Sequence, residues 1–299
     1  MIATRQFSLI VSPTSGGGAA KRNAPEIIQR LRSGGSEVEA EFTESLDHGR
    51  QLALEAARAG RTAVAVGGDG LLNSVVNGVA STPGATIGLL PYGTANDFAR
   101  TLGITKRDAV ETLLEGDSRA VDLGYGAGKY FACIASVGFD STVIETMLQT
   151  SHVKGRLVWP YSVLKSLLTW KPLRFTVQSN GETARFEGFS VAAANGRCFG
   201  GGMHLAPDAE VDDGLFDVVV IATRSRLEFL RWSPLIFTGG HLKCRAVKVW
   251  RTNRLIVETE KPFLVYADGE VLAPAPLEIE LRPAAVHVLA PAVHPPLRR

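Results

Sequence analysis

Two loops in this chain combine the residue types that hold phosphate and metal. Residues Thr62 to Asn77 read TAVAVGGDGLLNSVVN, and Thr86 to Arg100 read TIGLLPYGTANDFAR. Each is a short apolar run that breaks into glycines, an acid and small hydroxyl or amide residues before an amphipathic stretch begins. That is the pattern of strand, tight polar loop and helix. Gly67, Gly68 and Gly70 let the backbone turn sharply and leave amide hydrogens open at the start of a helix, where a phosphate is well received. Asp69, inside that loop, would repel a bare phosphate. A divalent cation between the two removes the conflict, so the loop predicts a metal–nucleotide site. Read alone, GGDG can also be only a strand-to-helix turn, and Thr94, Asn96 and Asp97 can also be only the cap of a short helix.

The elements around these loops predict two domains. Strand-like FSLIV, VEAEF, TAVAV and TIGLL alternate with helical patterns at Lys21 to Arg32, Gln51 to Arg58 and Leu71 to Val79, all within the first 122 residues. Alternation of this kind makes a doubly wound, mostly parallel α/β sheet, which binds ligands at the carboxyl edge of its strands. Both loops fall at that edge. After Asp122 the pattern turns to strands. LRFTVQSNGETARFEGFSVAAA predicts a hairpin about Asn180-Gly181 and a third strand; FDVVVI, AVKVW, RLIVET, FLVYA, LEIEL and AVHVLA predict more. Helical stretches at Gly155 to Trp170 and Arg226 to Phe237 interrupt them. The expectation is an α/β nucleotide-binding domain over 1–122 and an antiparallel β-sandwich or barrel over 123–299.

Composition narrows the class. With 299 residues, 45% apolar and 21% charged, the chain can bury an ample core. No apolar run reaches the roughly 20 residues that span a bilayer, and Phe7 to Val11 reads as a first strand, not a signal peptide. Three widely spaced cysteines, Cys133, Cys198 and Cys244, fit reduced thiols in a cytoplasm. A net charge of +2 argues against a dedicated nucleic-acid binder. The bases gather late: Thr146 to Gly181 holds Lys154, Arg156, Lys165, Lys171 and Arg174 with no acid, and Arg231 to Val257 is again free of acids. Within this basic part, GRLVWPYSVLKSLLTWKP (155–172) sets Trp159, Tyr161 and Trp170 among Arg156, Lys165 and Lys171. Aromatic rings beside bases suit a lipid headgroup boundary, and equally a core helix whose lysines reach out to water.

The two loops together resemble the diacylglycerol kinase catalytic domain of the bacterial lipid kinases, which is shared with sphingosine and ceramide kinases. NGRCFGGGMHLAPDAEVDDGLFDVVV (195–220) and YADGEV (266–271) match that family in order and distance, and SPTSGGG (12–18) is similar to its first nucleotide loop, which usually begins Asn-Pro. The matches run from about Ile10 to Glu270. The resemblance implies a two-domain layout with the active site in the interdomain cleft and a C-terminal tail that commonly packs back on the first domain. It also implies an ATP- and Mg2+-dependent kinase for a lipid hydroxyl, first of all diacylglycerol, yielding phosphatidic acid. Phosphatidylglycerol or a sphingoid base is the alternative acceptor, and a nucleotide-binding regulator with reduced catalysis is the alternative class. A cytoplasmic, peripherally membrane-associated protein follows, meeting its lipid substrate at the membrane surface, with no nucleic-acid partner and with a homodimer left open.

Residue by residue, the resemblance assigns nucleotide contacts to Thr43, Gly67, Gly68, Asp69, Gly70, Thr94 and Asn96. It gives Asp69, Asp97 and Asp122 to a metal–water network near the γ-phosphate, and a structural Mg2+ to the Asp213 side chain with the carbonyls of Glu210 and Leu215. The general base is carried over to Glu270 with Asp268 as partner, in roles that could exchange. Plainer readings stand beside these: Asp122 as a strand-end residue, Asp212-Asp213-Gly214 as a turn, Asp268-Gly269 as a hairpin turn. The family usually continues GGDG with threonine and then Asn-Glu, whereas this chain has Leu71 and Asn73-Ser74. A hydroxyl and a carboxylate are thereby lost.

Overall fold

The computed structural model describes residues 4–150, 153 and 157–292. Its chain divides into two compact units, residues 1–123 with 283–299, and residues 124–282.

The first unit begins with β1 (Gln6–Val11), α1 (Ser15–Ser33), β2 (Glu37–Phe42), α2 (Leu46–Arg58), β3 (Thr62–Gly67), α3 (Asp69–Val79) and β4 (Thr86–Pro91). These strands pair in parallel in the order β2-β1-β3-β4. Apolar residues occupy both faces of β3 and β4, as a sheet covered on two sides requires. Small residues let the covering helices close in. A Cβ at Gly78 of α3 would stand 2.4 Å from the Arg50 carbonyl of α2, so α2 and α3 meet backbone to backbone. Two short helices, α4 (Asp97–Thr101) and α5 (Ala109–Glu115), precede β5 (Asp117–Gly126). Neither has a long enough apolar period to stand out in sequence. The C-terminal segment re-enters this unit and adds a fifth parallel strand, with His287 and Val288 beside Thr86 and Ile87 of β4.

The second unit holds β6 (Lys129–Phe131), β7 (Ile134–Gly138), α6 (Phe139–Gln149), α7 (Val158–Thr169), β8 (Leu173–Ser179), β9 (Glu182–Gly188), β10 (Ser190–Ala194), β11 (Phe216–Ile221) and α8 (Arg226–Trp232). It ends with β12 (Val247–Thr252), β13 (Arg254–Thr259), β14 (Leu264–Ala267), β15 (Glu270–Pro274) and β16 (Leu277–Ala290), of which residues beyond 282 belong to the first unit. Six strands form an antiparallel sheet in the order β12-β11-β10-β7-β14-β15. The β8–β9 hairpin turns at Asn180-Gly181 and joins β13 and the first half of β16 in a second antiparallel sheet.

Several details differ from the sequence expectation. The strand after the hairpin, β10, leaves β9 and pairs with β7 and β11 in the other sheet. LEIEL and AVHVLA are one continuous strand, β16. The helical pattern at 226–237 is α8 followed by a 3-10 turn over Ser233–Thr238, because Pro234 cannot continue the α-helical ladder. Helix α6 was not foreseen. Trp170 is also not a headgroup-facing ring: it is 5% exposed and packs edge-on against Phe139 and Phe263, with Phe189 alongside. Phe229 and Trp232 extend this aromatic cluster, where burying each ring contributes about 1.5–3 kcal/mol. Lys154, Gly155 and Arg156 of the same basic stretch lie outside the described residues.

Candidate active site

The GGDG and GTAND loops of the first unit are locked together by one carboxylate. Asp69 Oδ2 accepts the Asn96 amide hydrogen at 2.8 Å and Oδ1 accepts that of Asp97 at 2.9 Å, so Asp69 caps α4 from another loop. Asn96 takes a left-handed backbone, φ 52° and ψ 47°, and its side chain closes on Gly93 through both its oxygen and its nitrogen at 2.8 Å. Glycine is needed on both sides of this junction: a Cβ on Gly68 would lie 2.9 Å from the Gly93 Cα, and one on Gly93 would lie 2.4 Å from the Gly68 Cα. The Gly67 carbonyl accepts amide hydrogens from Tyr92 and Gly93, completing the clamp. α3 follows Gly68, which provides no side-chain cap for its first amides.

The first loop joins the same edge. Gly16, Gly17 and Gly18 all have left-handed φ, of 61°, 63° and 82°, and a Cβ on Gly16 would come within 2.7 Å of the Tyr92 carbonyl oxygen.

Other first-unit candidates are placed as follows. Gly67 is buried, Gly70 is half-buried within α3, and Thr94 is exposed on its loop. Asp97 is buried at the first position of α4. The buried Thr43 hydroxyl donates to the Val11 carbonyl at 3.4 Å. Asp122 is buried, and its Oδ1 accepts the Ala284 amide hydrogen at 2.8 Å, fixing the returning C-terminal segment. Leu71 is 4% exposed and fits against Gly49 of α2 and Gly67. Its departure from the family pattern is thus a packing matter on the covered side of α3.

In the second unit a further set of loops converges. Asp268 sits in the β14–β15 turn with φ 49°, and its carboxylate accepts the amide hydrogens of Ala132 at 2.7 Å, Cys133 at 3.1 Å and Ile134 at 3.0 Å. Its own amide returns a bond to the Ile134 carbonyl. Asn195, fully buried at the end of β10, donates to the Ala132 carbonyl at 2.8 Å, while its backbone and that of Gly196 donate to Cys133. Glu270 heads β15 opposite Ala267 and is half-buried. The Asp-Gly is a hairpin turn, and the same turn brings Asp268 to bear on a neighbouring loop; the two readings coexist.

The Asp213 loop holds a charge that the sequence reading missed. Asp213 Oδ1 accepts the Leu215 amide hydrogen at 3.0 Å, while Oδ2 receives Arg251 Nη1 at 3.1 Å. Arg251 also donates through Nε to Asp217 at 3.3 Å and through Nη2 to the Asp208 carbonyl at 3.2 Å. Burial pushes the Asp217 carboxyl up despite the opposing pull of Arg251, and its Oδ2 is buried without a hydrogen-bond partner among the described residues. Asp217 in turn, with Asp213, raises the guanidinium. The loop to which the resemblance assigns a structural Mg2+, through the Asp213 side chain and the carbonyls of Leu215 and the exposed Glu210, thus carries a guanidinium on the same Asp213 carboxylate. Only the register of β11 against β12, which sets Asp217 opposite Arg251, brings this base to the loop, and no local motif announces it.

Comparison with known proteins agrees with these two halves. Residues 6–125 match the diacylglycerol kinase catalytic domain, and residues 133–290 match the YegS C-terminal NAD kinase beta sandwich-like domain. A diacylglycerol kinase of Mycobacterium tuberculosis is 33% identical over 96% of this chain and 95% of its own length; one of Bacillus subtilis is 29% identical over 96% and 97%. Two crystal structures from Bacillus anthracis str. Sterne, the second of a diacylglycerol kinase, share the fold with TM-scores of 0.82 and 0.76 at 23% and 20% identity, over 97% of this chain and 98% of theirs. With both of its halves matched and the whole chain aligned to such relatives, the protein belongs to the bacterial diacylglycerol kinase-like family of lipid kinases.

Proposed function

We propose that the chain transfers the γ-phosphoryl group of ATP to the hydroxyl of a membrane lipid, with diacylglycerol as acceptor and phosphatidic acid as product. The observation that carries this reading is the Asp69 clamp, which holds two glycine loops and the uncapped start of α3 at one sheet edge. Such an edge offers amide hydrogens to phosphate oxygens. Mg2+, when bound with the nucleotide, would be held by Asp69 and Asp97 and would offset the phosphate charge. Both Asp69 oxygens keep a second lone pair after accepting one amide each.

The lipid oxygen attacks the γ-phosphorus as its bond to the ADP oxygen breaks, and the hydroxyl proton passes to Glu270. Asp268, fixed by three amides, sets the position of the turn that carries Glu270. No covalent phospho-residue is required. The regulator reading rested on Leu71 and Ser74; a Leu71 that packs in the core weakens its motive. Among the described residues no helix is long and apolar enough to cross a membrane, so the substrate would be met at a bilayer surface.

The test is a panel of diacylglycerol, phosphatidylglycerol and sphingoid bases with radiolabelled ATP and Mg2+. Labelled phosphatidic acid is the expected product. Label in another lipid would move the acceptor, and none in any lipid would overturn the reading.

A further inference from the structure

Helix α7 is built inside out. Leu157, Tyr161, Leu164 and Leu168 recur at intervals of four, three and four, the spacing of one helix face. That face points to water: Leu164 is 57% and Leu168 67% exposed. The buried face instead carries Ser162, Ser166 and Leu167. Ser166 reaches α6, 3.0 Å from the Thr146 hydroxyl and 3.3 Å from the Thr142 carbonyl, and the buried Ser162 hydroxyl has no hydrogen-bond partner among the described residues. Water favours the opposite orientation.

The surface continues onto α8. Arg226 donates to the carbonyls of Leu168 and Trp170, each at 2.7 Å, which fixes the start of α8 to the end of α7. Leu227 is 80% and Leu230 54% exposed while Phe229 and Trp232 turn inward, and Leu235 and Phe237 of the 3-10 turn are exposed beyond them. Bases accompany this face: Lys165 in α7 and Lys171 just past it, Arg231 in the last turn of α8, and Lys243 and Arg245 beyond, all exposed. From 157 to 181 there is no acid, and from 224 to 250 the one acid is Glu228, whose carboxylate accepts the Thr223 hydroxyl.

We propose that this leucine face is the docking surface of the chain for an anionic phospholipid bilayer. The inference rests on the lipid-kinase reading above and names the partner surface that such an enzyme needs. Leucines enter the apolar margin of the bilayer and the surrounding bases meet headgroup phosphates. A second copy of the chain is the poorer occupant, because a two-fold contact sets the same bases against themselves. Trp170 takes no part, being a core residue.

The test is co-sedimentation of the full chain with vesicles of phosphatidylcholine alone and of phosphatidylcholine with phosphatidylglycerol. Wild type should partition to the anionic vesicles, less so as salt rises. Leu164→Ser, Leu168→Ser and Leu227→Ser combined should lower that partition by roughly tenfold or more, with the thermal midpoint unchanged or raised. Lys165→Glu with Lys171→Glu should remove the preference for anionic vesicles, and this pair decides the matter if the serine variant does not fold. Unchanged partition in a folded serine variant overturns the proposal. So does a wild-type dimer that the serine changes turn into monomers without altering vesicle binding. Phosphorylation of diacylglycerol in detergent micelles by the wild type reports on the enzymatic reading separately, since no bilayer is present.

Discussion

Asp69 and Asp268 do the same thing in unlike surroundings. One stands at the head of a helix beside a parallel sheet, the other in a β-hairpin turn, and each captures backbone amides of a loop distant in sequence. The count separates them. Asp69 takes one backbone amide on each oxygen, which leaves a second lone pair on each. Asp268 gathers three amides from consecutive residues and acts as a clamp. An acid beside glycine can thus join two loops with each oxygen singly engaged, or be taken up by three amides in anchoring one loop.

The largest effects should come from changes that separate clamp from chemistry. Glu270→Gln should lower lipid phosphorylation by roughly 10²–10⁴-fold with an unchanged thermal midpoint, as loss of a positioned base does. Asp268→Asn turns an amide donor toward three donors and should cost about 2–4 kcal/mol of stability, read by denaturant unfolding. If Asp268→Asn keeps the stability of the wild type and loses more activity than Glu270→Gln, the two roles are exchanged.

Leu71 sharpens the contrast on the first unit's side. Leu71→Thr would restore the family hydroxyl but place it against Gly49 and Gly67 in the core. It should destabilise by about 2–3 kcal/mol without lowering the KM for ATP. A lower KM at full stability would show that the side chain reaches the phosphates after all.

Arg251 offers a third way to hold an acid, with a side-chain cation in place of amides. Arg251→Met should cost about 1–3 kcal/mol by leaving the buried Asp217 unpaired, and Mg2+ should then raise the thermal midpoint more than it does in the wild type. An equal Mg2+ response in both proteins would mean that the guanidinium and the metal do not compete.

A pH-dependent effect should appear at Asp140, whose carboxyl burial pushes up to about 6 against a hydrogen bond with Ser190. The native state then binds this proton more tightly than the unfolded chain, so stability from this group falls as pH rises from about 4 to 6. Asp140→Asn should therefore stabilise by about 2–3 kcal/mol at pH 7 and by much less at pH 4, a difference that unfolding curves at the two values would show.

What could be read in advance was whatever local pattern dictates. The parallel strands FSLIV, TAVAV and TIGLL are largely apolar on both faces because both faces are covered, and GGDG is legible because a tight turn demands glycine. The Asn180-Gly181 turn was legible for the same reason. Pairing between distant segments was not. Nothing in FSVAAA says that β10 changes sheets, and nothing in VKVWRT says that its arginine will meet Asp213. Trp170 stayed open to two readings because an aromatic ring beside lysines suits a core margin as well as a headgroup boundary, and Leu164 and Leu168 carried no signal because leucines in a helix are ordinarily buried.

The long strand β16 has a consequence for the order in which the chain can be completed during synthesis. The first unit leaves off at residue 123 and resumes at 283, so its β4 edge waits uncovered while the whole of 124–282 is translated. The second unit, being contiguous, can finish earlier. During that interval β4 presents an open strand edge of the kind that invites mispairing with other chains. A nascent chain released before Pro283 would keep that edge permanently, and a ribosome-bound series ending on either side of His287 would reveal when protection from proteolysis sets in.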